Sequence, residues 1–174
     1  MDTWDSLAVT HHQALRFFFE RLRDVTDEAD PPETELLYNA SVLAHFATTS
    51  TASMAEFPAS PSSLDRLFDV FVLDRSQQAD PQVMEAAAAQ CLLLTGFFRD
   101  QMRLRHNIAW YAALGAGFYD SAAHLGGDRS WTRMMEQMAL RFEFWRHQLY
   151  RLSQELRDAP RLIIARGSGN PMWN

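Results

Sequence analysis

Six histidines are the residues of this chain best equipped for chemistry. Neutral imidazole is the commonest transition-metal ligand, and histidine is the side chain whose unperturbed charge changes nearest neutral pH. His11 falls on the stripe Trp4, Ala8, His11, Leu15, Phe18, Leu22 and Val25, whose steps of three and four mark one helix face. His45 lies between Leu43 and Phe46 in a second, very apolar helical pattern. A histidine so placed either hydrogen-bonds a core carbonyl or side chain, or faces a pocket as an axial ligand or proton-transfer group. If the first two helices pack as a hairpin, His11 and His45 line one cavity. Twelve Phe, five Trp and eight Met are available to wall a site for a small apolar ligand or cofactor, or simply to fill a core.

Two further pairs, Asp120 with His124 and Glu143 with His147, stand four residues apart, which places each carboxylate beside its imidazole on a helix surface. A fold-back at Gly126-Gly127 sets His106 level with His147, so His106, Glu143 and His147 form a two-histidine, one-carboxylate metal candidate and the basis of a metal-dependent enzyme. The heptad register opposes this: His147 lies about 180° from the apolar seam of its own helix and so faces solvent unless a subunit covers it. The Glu-x-x-His spacing of a di-iron bundle does not occur, nor does a nucleophile elbow, phosphate loop, zinc helix or calcium loop. Gly115-Ala116-Gly117 sits inside a helical pattern with no strand before it, and Gly167-Ser168-Gly169 has no helix after it, so neither reads as a phosphate cradle. All sixteen basic residues are Arg, which removes every lysine-dependent mechanism. Cys91 lies in an apolar run and reads as a buried, inert thiol.

The elements that must position these residues are helices. The first runs from after Asp5 to about Val25; Asp30 caps the second, with Pro31 at its first position and Glu33 closing a capping box, and it continues to about Ala47. Residues 48–63 are rich in Thr, Ser, Ala and Pro and read as a loop, and Ser60-Pro61 opens a third helix to about Arg75. Asp80-Pro81 opens a fourth, expected to reach about Met102. It is apolar on nearly every side and therefore central, with Gly96 admitting a close neighbour or a kink. The fifth runs from Asn107 to Gly126-Gly127 and carries a track of small residues, Ala113, Gly117 and Ser121, suited to close helix packing.

The sixth is expected to run unbroken from Asp128 to about Asp158. Its heptad series Trp131, Met138, Trp145, Leu152 and Met135, Phe142, Leu149, Leu156 fit either a bundle core or an intermolecular seam. The expectation is an all-α, single-domain bundle of about six helices over residues 1–158, with a central apolar helix and a long C-terminal one. A tail over 159–174 is flexible or docks on a partner.

Composition agrees with a globular chain: 174 residues, 47% hydrophobic and 22% charged. Residues 1–98 hold five Arg against fifteen acids, whereas 99–174 hold eleven Arg against seven. The two halves attract, within one domain or across a symmetric dimer. A pI near 5.4 and Arg residues dispersed along the chain argue against nucleic acid or a lipid surface as partner. The acidic start and the lack of a long apolar run point to a cytoplasmic protein without a membrane span.

Leu92 to Phe98, with Trp110 to Gly115 and Phe118-Tyr119, resembles a family of helical bacterial proteins of unassigned function. Leu36 to Asn39 and His45 to Ala47 are similar to its earlier segment. The resemblance covers roughly residues 33–125 and implies an all-helical fold and no activity. That family tends to carry a Gly-Asp pair where this chain has Ala88-Ala89, which removes its buried acid here. The leading expectation is a non-enzymatic protein acting by association with an unidentified partner or as a homodimer, through helix six or the tail. The alternatives are the apolar-ligand binder of His11 and His45 and the metal enzyme of His106, Glu143 and His147.

Overall fold

The computed structural model describes residues 11–52, 79–104 and 106–167. The start of the first expected helix, the expected helix from Ser60 to Arg75 and the last residues of the tail lie outside them. Within the described residues all regular structure is helical: α1 (His11–Thr26), α2 (Glu33–Ala52), α3 (Pro81–Leu92), a π-helical turn (Leu93–Phe97), α4 (Arg99–Met102), α5 (Ile108–Leu125), α6 (Arg129–Leu140) and α7 (Phe142–Gly167). This is an all-α bundle. The buried side chains of α1, α2, α3, α5, α6 and α7 form one continuous core.

Local chemistry sets several helix boundaries. Asp80 Oδ1 accepts the Gln82 N–H at 2.9 Å with Pro81 in the first turn, as the sequence led us to expect. Asn107 and Asp128 cap α5 and α6 in the same way, accepting the N–H groups of Trp110 at 3.1 Å and Trp131 at 2.9 Å. Asp30 does not serve as the expected cap of α2. It closes α1, with a φ of 41° and its own N–H on the Thr26 carbonyl at 3.0 Å, in the left-handed conformation that Asp tolerates better than most residues.

Two long helices are interrupted. The expected single helix from Pro81 to Met102 widens over Leu93–Phe97, where the Phe98 N–H reaches back five residues to the Leu93 carbonyl at 2.9 Å. The cause lies across the core. A Cβ on Gly96 would stand 2.9 Å from the Arg146 carbonyl oxygen and 3.2 Å from its Cα, so this turn meets the backbone of α7 directly. The sixth expected helix divides at Arg141 (φ −107°, ψ 20°), although the bonds Arg141 N–H to Gln137 and Trp145 N–H to Arg141 preserve its register. Its second part, α7, runs beyond Asp158 to Gly167.

Because register is kept, the heptad seam turns inward as one stripe. Met135, Met138, Phe142, Trp145, Leu149 and Leu152 are buried, and Trp131 and Leu156 pack at its ends. Burying such side chains stabilises the fold by roughly 1.5–3 kcal/mol each. The seam is therefore intramolecular core. α3 packs chiefly on α5, the π turn on α7, α1 on α2, and α5 on α6. Short α4 is pinned to α7 through Asp100, which accepts from Tyr150 Oη at 3.3 Å, Gln154 Nε2 at 3.0 Å and Arg157 Nη1 at 3.1 Å.

Gly96→Ala is expected to lower the urea midpoint, corresponding to a loss of about 1–3 kcal/mol in unfolding free energy, because backbone cannot retreat from the new methyl. The Gln154 hydrogen bond, with Arg157 and Arg103, holds the Asp100 carboxyl below its usual range. A depressed folded-state value contributes stability above the unfolded-state value and loses it as pH falls through both. The gap in urea midpoint between the parent chain and Asp100→Asn should thus be open at neutral pH and close below about pH 4.

Candidate functional site

The structure separates the residues that the sequence suggested as sites. His11 is exposed at the end of α1 farthest from the α1–α2 turn, where the packed side of the helix has reached only as far as Ala14. His45 is exposed because α2 buries Leu36, Ala40, Leu43 and Ala44, a face from which position 45 turns away. Neither lines the pockets formed among the described residues. His106 is half-buried on the turn before α5, edge-on to Tyr111 at 5.9 Å. Glu143 gives its carboxylate to Arg146, and His147 is exposed beside it. Among the described residues no three His, Cys, Asp or Glu side chains are grouped to hold a metal ion.

What the fold assembles instead is a polar layer inside the bundle. Glu35 of α2 is buried, its Oε1 accepting Arg141 Nη1 at 3.2 Å and its Oε2 the Trp145 indole N–H at 2.7 Å. Burial of a carboxylate costs several kcal/mol and demands donors of this kind. One turn on, Asn39 Nδ2 donates to the Glu35 carbonyl at 2.9 Å and contacts Met138 Sδ at 3.5 Å. A second carboxylate, Glu85 of α3, accepts the Trp131 indole N–H at 3.0 Å. Beside it the hydroxyls of Tyr38 and Tyr119 are hydrogen-bonded at 3.2 Å.

The electrostatics of this layer favour neutral donors. Burial, then the neighbouring Tyr119 and Glu85, pushes the Tyr38 phenol well above its usual range, and burial raises Tyr119 likewise. The Cys91 thiol, desolvated in α3, is pushed up to about 12, so it is no thiolate nucleophile at neutral pH. Both carboxylates are engaged by indole or guanidinium groups, and the layer joins α2, α3, α5, α6 and α7. Its chemistry is positional: it specifies which helices meet and in which register. Sequence reasoning missed both acids. The available signal was a lone acid in an apolar helix, Glu85 three residues before Ala88, one turn from the position where the resemblance implied an acid.

The outward counterpart is an open face on α5. Ala113, Gly117 and Ser121, expected to pack tightly against another helix, are exposed, and among the described residues nothing lies within 4 Å of a Cβ placed on Gly117. The close approach belongs to Gly115, whose Cβ would stand 2.6 Å from both Cys91 Cβ and Phe142 Cζ. The small residues floor a groove of about 540 Å³ walled by Met84, Leu114, Phe118 and Leu125. His124 stands at its rim. Its ring nitrogen lies 2.8 Å from the Asp120 carbonyl and 3.6 Å from the carboxylate, and both raise its pKa, the carbonyl most.

Comparison with known protein families, curated proteins and solved structures returns no match to this chain, in keeping with its resemblance to a family without an assigned activity. None of the described helices is long and apolar enough to cross a membrane.

Removing the Glu35 acceptor leaves a guanidinium and an indole N–H unsatisfied. Glu35→Ala is expected to cost about 3–5 kcal/mol in urea unfolding. Glu35→Gln, which retains one acceptor oxygen, should cost less, and equal losses would show that the carboxylate is not what holds Arg141 and Trp145.

Proposed function

We propose that this is a non-enzymatic, cytoplasmic helical protein that acts by association, with the open face of α5 pairing against the same face of a second copy. The observation that carries this reading is the groove itself. A track of small residues four apart, flanked by Leu114, Phe118 and Leu125, is the surface on which two helix backbones come closest. Among the described residues the inner side of α5 is occupied by α3 and α6, and the track on its other side stays open. The C-terminal heptads are taken up by the protein's own core and leave no seam for a dimer there.

The groove's volume also lies within the range of roughly 300–1,000 Å³ that holds small molecules, with Ser121 and His124 as polar points. This favours, as a second reading, an apolar ligand on α5 in place of one between His11 and His45.

Native mass spectrometry separates the two. A dimer of bare chain mass is expected, and Gly117→Leu should convert it to monomer without loss of helical circular dichroism. A monomer carrying stoichiometric extra mass, released by Gly117→Leu, would instead establish the ligand. A bare monomer overturns both.

A further inference from the structure

We propose that protonation of His124 releases two copies paired across α5, an inference that rests on the pairing read from the groove. Asp120 and His124 are the two side chains of α5 that carry charge near neutral pH, and both stand in its C-terminal half. A parallel pair would set Asp120 against Asp120 and His124 against His124. An antiparallel pair crossing at Gly117 avoids both repulsions and opposes the two helix dipoles. It lays His124 over the N-terminal end of the partner's α5, where residues 109–113 carry no charge.

The imidazole is oriented by its own helix. Nδ1 lies 2.8 Å from the Asp120 carbonyl, which can only accept, so Nδ1 bears a hydrogen and Nε2 is the nitrogen that gains or loses the proton. In the separate chain the groups around it favour the cation. The Asp120 carbonyl, the Asp120 carboxylate at 3.6 Å and Glu136 of α6 all act in that direction, and the side chain is 76% exposed to water. From α3 the groove receives the uncharged Met84, and α7 meets α5 on its buried side, where Phe142 packs on Gly115 and Tyr119.

Pairing reverses the balance. The groove walls Met84, Leu114, Phe118 and Leu125 offer an Nε2–H no acceptor, and Asp120 and Glu136 do not line the groove. A second copy laid on the track displaces water from the ring and brings up the positive end of its helix dipole. Desolvation costs an imidazolium far more than a neutral imidazole, so the proton leaves as the copies meet. Association therefore weakens as pH falls through the value of the separate chain, which lies above the ordinary 6.5.

The test is the dimer dissociation constant of the full chain, measured by sedimentation velocity between pH 8.5 and 6. It is expected to rise about tenfold or more between pH 8 and pH 6, two histidines being titrated per dimer. His124→Gln should flatten this profile and Asp120→Asn should move the rise to lower pH. His147→Gln should keep the parent's rise, with helical circular dichroism retained in all three. A dimer whose constant is the same at every pH, or falls with acid, overturns the switch and leaves the pairing standing, and so does a parent-like rise in His124→Gln. A chain that is monomeric even at pH 8.5 overturns the pairing, and the switch with it.

Discussion

The buried carboxylate of Glu35 is the constraint around which this bundle is arranged. A carboxylate withdrawn from water must find strong donors, and Glu35 finds them together at the junction of α6 and α7, in Arg141 and Trp145. That requirement aligns α2 with the α6–α7 boundary to within a residue. With the alignment set, Asn39 meets Met138 and Tyr38 meets Tyr119, one turn further along α2. The interruption at Arg141 falls at the residue whose guanidinium makes the ion pair and also covers the Phe144 ring at 4.6 Å.

The second organising feature is the close approach of backbones. α3 and its π-helical continuation thread the centre of the molecule, and small residues there leave room for large partners. Ala87, Ala88 and Cys91 are buried on α3, Gly115 faces Cys91 and Phe142, and Gly96 meets the main chain of α7. The large volumes sit opposite, in Trp145, Tyr119 and Phe142. Interiors reach near-crystalline density through such alternation, and here it also spaces the indole and phenol donors so that they reach Glu35, Glu85 and each other.

Under the proposed association, function lies on the surface of the bundle and the polar interior serves to fix how the helices meet. The phenols and the thiol of the core are held neutral by burial, and the carboxylates are occupied by donors from neighbouring helices. Among the described residues, the small-residue face of α5 is a surface left open once the helices have met their internal requirements.

The sequence alone determined the helical class, several helix starts and the composition of the core, because caps and apolar periodicity are local signals. Asp80-Pro81, Asn107 and Asp128 stand where their helices begin, and the heptads from Trp131 to Leu156 name the C-terminal core. The same periodicity misplaced His11 and His45, since it shows which residues share a face but not how far along a helix the partner extends. It marked the wrong glycine track as packed for a similar reason: Ala113, Gly117, Ser121 and the face containing Gly115 are equally small, and only the position of α3 and Phe142 distinguishes them. Glu35, Glu85 and the arginine cluster around Asp100 were decided by tertiary structure. Their partners are 106 or 110, 46 and up to 57 residues away, and separations of that length carry no local pattern.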